Sequence, residues 1–269
     1  MGARVMRVRL WHYLLGLPLG TFIGQALGWR FTFLTVTLLG VLAILGIVAL
    51  APRLPLEPTL SIHQELSVVR RPQVLLGFAM TAFGNGSVVT VLTYIAPILV
   101  NNAGFAERAV SPILLLFGVG FVVGNTAGGK LADWRLMPSL LGILTVLGIV
   151  LAGFSFTSHY KTAAVLTVFL FGAAAFGSVP GLQLRVVDKS KGAPNLASAF
   201  NIAAFNVGSA AGACLGGAVI DSGLGLNAVP WVGALVTAVA ISVTAFSWSL
   251  DLHTRTSLST AAAISREKS

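Results

Sequence analysis

A seventeen-position pattern occurs twice in this chain. Phe117-x-Val119-Gly120-x-x-x-Gly124-x-x-x-Gly128-Gly129-x-x-x-Asp133 returns, shifted by 88 positions, as Phe205-x-Val207-Gly208-x-x-x-Gly212-x-x-x-Gly216-Gly217-x-x-x-Asp221. Each copy places glycines four apart on an apolar helix, so the missing side chains line up on one face and a neighbouring backbone can approach closely. That is how helices associate in lipid, where burial against water supplies no driving force. Gly120, Gly124, Gly128, Gly208, Gly212 and Gly216 are therefore expected to be helix-packing positions. A third ladder, Gly16, Gly20 and Gly24, opens the chain with poorly matching flanks. Tight helix pairs of any origin use glycine ladders, but they do not require the matching Phe, Val and Asp as well.

Composition places these ladders in a bilayer. Hydrophobic residues make up 56% of the 269 and charged residues only 9%, with mean hydropathy +0.90; an ordinary soluble domain carries about 25% charged residues. Stretches of about 20 apolar residues, long enough to cross, run near residues 10–25, 31–51, 74–100, 110–129, 137–157, 162–184, 196–220 and 229–250. The expected fold is all-α: a polytopic membrane protein of about eight transmembrane helices. Its first helix is interrupted by Pro18 and three glycines.

Charge orients the bundle. With eight crossings and both termini on one face, that face holds 14 of the 17 Lys and Arg. They are Arg4, Arg7, Arg9, Arg53, Arg70, Arg71, Lys130, Arg135, Arg185, Lys189, Lys191, Arg255, Arg266 and Lys268. Arg30, Arg108 and Lys161 fall opposite. The asymmetry predicts cytoplasmic termini and accounts for the net charge of +9. Nucleic acid is not an expected partner, because the cations are spread over five segments instead of forming one patch. Asp133 then follows an inward-running helix and Asp221 an outward-running one. The two copies have opposite topology, as three-helix units related by an axis in the membrane plane must have, and such inverted repeats characterise secondary transporters.

Further motifs carry a family resemblance. Gly16-Leu-Pro18-Leu-Gly20-Thr-Phe-Ile-Gly24-Gln-Ala-Leu-Gly28-Trp29-Arg30 resembles the fifth helix and following loop of the drug:proton antiporter branch of the major facilitator superfamily, especially its arabinose-efflux-permease-like members. Tyr94-Ile-Ala-Pro97 resembles the end of their seventh helix, and Gly128-Gly129-Lys130-Leu131-Ala132-Asp133 the loop after the eighth. Pro180-Gly-Leu-Gln183-Leu-Arg185 resembles the end of the tenth, and Ser198 through Asp221 the eleventh. The resemblance implies a partial major-facilitator fold. Residues 1–51 would be a two-helix remnant of the N-terminal lobe, 52–73 the cytoplasmic inter-lobe loop, 74–250 a complete C-terminal six-helix lobe of two inverted three-helix repeats, and 251–269 a cytoplasmic tail, mobile for want of apolar surface. The implied activity is secondary active, proton-coupled efflux of a small neutral solute (a sugar, nucleoside or drug) by alternating access, in a bacterial cell inner membrane. The element count also suggests a frameshifted or truncated reading frame lacking four helices, whose product is transport-incompetent or serves as a helix-packing partner. Arg4, Arg7 and Arg9 ahead of an apolar run are open to a further reading as a signal peptide.

Candidate site residues are few, since the predicted membrane cores contain no Asp, Glu, Lys or Arg. The partners expected are the bilayer, a small-molecule solute and, by resemblance alone, protons. Asn85, between Gly84 and Gly86, sits where its helix can unwind and offer carbonyls to a solute. Tyr94, Phe176, Asn201 and Asn206 complete the candidate substrate pathway. Hydroxyls such as Thr81, Thr90 and Thr93 commonly bond back to their own helix. Gly129, Asp133 and Arg135 match a loop read in the family as a conformational latch, weakened here by Trp134 and Leu136-Met137-Pro138. Pro180 and Gln183 suggest a hinge, because proline removes a helical hydrogen bond. Residues 61–72 read as a capped amphipathic helix on the membrane surface. The single cysteine, Cys214, excludes an internal disulfide and a cysteine-ligated zinc cluster. No enzyme motif such as His-Glu-x-x-His, Gly-x-Ser-x-Gly or a Walker loop occurs, and neither a catalytic residue nor a cofactor or metal is expected.

Overall fold

A computed structural model describes residues 28–50 and 62–267, without the side chains of Trp29, Thr32, Ile62 and residues 254–267. The expected helix at 10–25, with the ladder from Gly16 to Gly24, lies outside the described residues, as does residue 61, where the amphipathic helix is expected to begin. The chain divides into two compact units, residues 1–59 and 60–269. In the first, helix α1 (Trp29–Leu50) is apolar all round, as a lipid-crossing helix must be. Its Thr35 and Thr37 hydroxyls bond back to the carbonyls of Phe31 and Phe33.

In the second unit the elements run α2 (Ile62–Val69), α3 (Pro72–Leu92), α4 (Ile95–Asn101), α5 (Glu107–Thr157), α6 (Lys161–Lys189), α7 (Pro194–Val219), a π turn (Ile220–Leu224) and α8 (Ala228–Glu267). Six helical segments among the described residues are long and apolar enough to cross a membrane, α1 included. The 51-residue α5 holds two crossings. It folds back at Arg135, whose backbone leaves helical geometry (φ −148°, ψ 90°), because Pro138 has no N–H for the Trp134 carbonyl and its ring crowds that turn. The Ser139 hydroxyl closes the bend on the Leu131 carbonyl at 2.8 Å. A similar cause separates α3 from α4. Pro97 leaves the Thr93 carbonyl without its helical donor, and the break falls at Tyr94 (φ −108°, ψ 11°). The expected unwinding at Asn85 does not occur: α3 runs unbroken through Gly84-Asn85-Gly86.

Glycine contacts fix the helix directions. A Cβ on Gly120, Gly124 or Gly128 would fall on the backbone of Phe169, Ala173 or Gly177 of α6. The numbers rise together, so the first arm of α5 and α6 are parallel. Likewise Gly208, Gly212 and Gly216 of α7 press on Ala82, Gly86 and Thr90 of α3, which makes those two parallel. Gly77 meets Val186 and Gly84 meets Leu182, so α3 opposes α6. The second helix of each triplet thus seats its ladder on the first helix of the other triplet. Asp133 and Asp221 close antiparallel helices at opposite ends of the bundle, and both chains bend two residues later, at Arg135 and at Gly223 (φ 85°). The inverted repeat expected from the sequence is present in the packing.

Between the seams lies one large apolar core, with Met80, Ile98, Leu144, Leu151, Phe154 and Phe171 almost wholly buried. Two boundaries differ from expectation. Helix α2 does not lie free on a membrane surface: Val68 and Val69 are buried, and Val69 joins Val74, Val186 and Ala197 in a second small core. The segment after Asp251 continues α8 as helix to Glu267.

The seams predict a graded response. Gly124→Ala and Gly212→Ala each drive a methyl into a facing backbone, and overpacking of this kind costs about 1–3 kcal/mol. Gly142→Ala, with open space around it, gains up to about 1 kcal/mol from helix propensity. Thermal unfolding in detergent should therefore separate the two classes, and equal melting temperatures for all three would contradict the packing.

Candidate functional site

Three helices frame a narrow recess of about 10 Å³, room for roughly one water, close to the middle of their lengths. Asn85 and Val88 come from α3, Ala175, Phe176, Ser178, Val179 and Leu182 from α6, and Phe205 from α7. Asn85 carries its polarity. Both amide hydrogens are donated, to the Phe205 carbonyl (2.8 Å) and the Ser209 hydroxyl (2.8 Å). The Phe205 carbonyl only accepts, which fixes the amide's orientation. Ser209 in turn donates to that same carbonyl (3.0 Å). The Asn85 carbonyl oxygen receives no hydrogen bond from the described residues. Phe176 stands over the other wall, held edge-on by Phe117 and Phe121 at ring distances of 5.9 and 4.2 Å. Pro180, four residues on, has no N–H for the Phe176 carbonyl. The lining contains no ionisable side chain.

A second polar group lies one turn nearer the Asp133 end. Gln183 donates to the Ser198 hydroxyl (2.6 Å) and accepts from Asn201 (2.7 Å), joining α6 to α7. Asn201 is fully buried and its carbonyl oxygen has no donor. The structure therefore brings Asn85 and Phe176 together at the recess and pairs Gln183 with Asn201. Tyr94 sits elsewhere, with its ring against Gly216 and its hydroxyl donating to the Ala213 carbonyl (3.1 Å). Asn206 is exposed on α7 and outside the recess lining. Pro180 is accommodated within an unbroken α6. At the latch positions Gly129 has open space around it, Asp133 is exposed with no ion pair among the described residues, and Arg135 lies over the Trp134 ring at 5.2 Å. Thr90 and Thr93 bond back to Gly86 and Val89, whereas the buried Thr81 hydroxyl finds no partner.

A cluster that the sequence did not reveal closes the same end. Arg185, 2% exposed, donates to Asp251 (2.6 Å), to the Gln73 side-chain carbonyl (2.8 Å) and to the Ser247 hydroxyl (2.7 Å). Lys189 reaches the other Asp251 oxygen at 2.7 Å. Counted by charge, Arg185 is one more basic residue at a helix end. No sequence spacing links positions 73, 185, 247 and 251, so contacts this remote are invisible before folding.

Two inverted triplets of membrane-crossing helices, locked by reciprocal glycine seams beside a largely apolar recess that carries one amide, define a multi-pass membrane protein of the kind that builds secondary transporters. Residues 11–195 match the Major Facilitator Superfamily. Among similar proteins, the inner membrane transport protein YdhP of Escherichia coli O157:H7 is 39% identical over 84% of this chain and 58% of its own length. The putative transporter AraJ of E. coli K12 is 33% identical over 85% of this chain and 58% of its own length. The probable sugar efflux transporter of Mannheimia succiniciproducens is 32% identical over 84% and 57% respectively. The chain belongs to the Major Facilitator Superfamily, a family of transporters and not of enzymes. It spans a little under three fifths of the length of these relatives.

Asn85→Leu removes both bonds to α7 and strands the Phe205 carbonyl and the Ser209 hydroxyl. The expected loss is about 1–3 kcal/mol, read as a lower midpoint of thermal unfolding. Asn206→Leu, which breaks no bond within the lobe, should leave that midpoint unchanged.

Proposed function

We propose that this chain supplies the solute-binding lobe of a secondary active transporter that exports a small neutral solute in exchange for protons by alternating access. One observation carries the reading. The recess is lined by an amide, a hydroxyl, two phenylalanine rings and aliphatic groups, with no charge. The recess is too small to hold such a solute by itself, but as one patch of the cavity wall it suits a solute that has hydroxyl or amide donors and an apolar face, because a buried ion would need a partner that this lining does not offer. Two relatives point the same way by their names, the probable sugar efflux transporter and a chloramphenicol resistance protein of Streptomyces lividans, 31% identical to this chain. The recess supplies no proton carrier, so proton coupling rests on the family resemblance.

The glycine seams give alternating access its rigid body. Where helices touch backbone to backbone, as at 120–128 against 169–177 and 208–216 against 82–90, they rock as one piece, since the seam has no side chains to rearrange. The excess of Lys and Arg expected on the Asp133 face supports the reading that this face, with both termini, is cytoplasmic in a bacterial inner membrane. Asp133 and Arg135 then stand where a second lobe would be latched, and Pro180 and Gln183 where the inner end would flex.

The test is flux. Purified chain in vesicles, given a pH gradient, is offered a labelled pentose, a nucleoside and chloramphenicol. Gradient-driven movement of at least one, reduced about tenfold by Asn85→Leu when a hydrogen bond worth about 1.4 kcal/mol is lost, supports the proposal. Absence of movement for all three defeats it for this chain and leaves the helix-packing alternative standing. Cysteines placed singly at Asp133 and Asp221 in a Cys214→Ser background should react from opposite sides of right-side-out vesicles, the former only from within. The reverse pattern would overturn the orientation.

A further inference from the structure

Helix α6 is held by different physics on the two sides of Pro180. On one side Phe169, Ala173 and Gly177 lie in the glycine seam of α5, a dry contact between backbones. On the other side Gln183 bonds to Ser198 and Asn201 of α7, and Arg185 bonds to Gln73 of α3 and to Ser247 and Asp251 of α8. Between them Pro180 removes the hydrogen bond to the Phe176 carbonyl. One helix is thus two segments fastened to different neighbours, with its weakest backbone link at the junction.

The second fastening can be released by water. A buried Arg–Asp pair gains little net stability over packed apolar groups, since desolvation offsets attraction. Here the account is further unbalanced, because the buried Arg185 Nε has no acceptor. Hydration of the opened cluster would return that missing bond. The Asp221 end differs: among the described residues it holds no ion pair, and the neutral Asn102–Asn227 (2.7 Å) and Thr167–Thr157 (2.9 Å) bonds flank the apolar closure by Ile98, Leu99, Ala103 and Val229.

We propose that Gln73, Arg185, Ser247 and Asp251 form a releasable clamp inside the lobe, and that its opening swings the segment 181–189 about Pro180 and admits water at the Asp133 end. Arg185 is a positioning residue in this scheme and touches no solute. The proposal goes beyond the transport reading and needs no solute for its test, so the two succeed or fail separately.

Val186 and Val229 are both fully buried and lie at opposite ends of the bundle, which makes them a matched pair of reporters. In the full chain with Cys214→Ser, reconstituted in vesicles, Val186→Cys and Val229→Cys are alkylated with N-ethylmaleimide. Asp251→Asn should speed the reaction of Val186→Cys by about tenfold or more, because loss of one partner leaves a buried charge uncompensated, and should leave Val229→Cys unchanged. Ser247→Ala, a milder cut, should give a smaller rise at the same reporter. Adding Pro180→Ala to Asp251→Asn should return the rate toward that of the parent by restoring the helical hydrogen bond, an effect a merely structural clamp would not show. Equal acceleration at both reporters, no acceleration at either with Ser247→Ala still folded, or indifference to Pro180→Ala would overturn the proposal.

Discussion

The contact on which the rest depends is backbone against backbone across the two glycine seams. In lipid the apolar side chains of one helix gain little by leaving hydrocarbon for another helix, so association must come from close packing and from polar groups that find partners. Gly124 against Ala173 and Gly212 against Gly86 bring main chains to distances that a single methyl would forbid. Because each seam joins a helix of one triplet to a helix of the other, neither triplet closes alone. The twofold relation is therefore a condition of stability as well as a record of duplication.

Once the seams set the helix directions, the polar groups fall into place with little freedom. Asn85 can reach Phe205 and Ser209 only because α3 and α7 run parallel and touch at Gly86 and Gly208. The tie is also what leaves the Asn85 carbonyl free, since an amide that spends both hydrogens on one neighbour turns its acceptor away from it. Close packing thus leaves a small recess as a by-product, at the level where α3, α6 and α7 bring an amide, a proline-freed carbonyl and aromatic rings together.

Legibility from sequence followed the range of the interaction. The glycine ladders, the inverted relation of Asp133 to Asp221 and the apolar spans were readable because each rests on a local period or on a count of charges. Helix breaks set by proline were not placed from the sequence: Pro97 and Pro138 break the chain three residues upstream, at Tyr94 and Arg135, next to the Thr93 and Trp134 carbonyls that they leave without a donor. The glycines flanking Asn85 were ambiguous, as glycine permits both unwinding and close approach, and only the facing helix decides between them. The Arg185 cluster was hidden because three helices distant in sequence supply it, and because an arginine at a helix end looks the same whether it snorkels to water or is folded under a neighbour.

The two ends of the lobe differ in a way the pseudo-symmetry does not demand. At the Asp221 end the helices close mainly over Ile98, Leu99 and Val229, and parting them would expose apolar surface to water at a cost that exchanging the few neutral bonds there, such as Asn102–Asn227, does not offset. At the Asp133 end the closure is made by Gln73, Arg185, Ser247 and Asp251, whose hydrogen bonds can be exchanged for water at small net cost. Duplication supplies two equivalent frameworks, and substitution at a few positions makes one end a seal and the other a clasp. A lobe built this way can loosen at one end while the seams keep its helices in register, so its flexibility is confined to the part of α6 beyond Pro180.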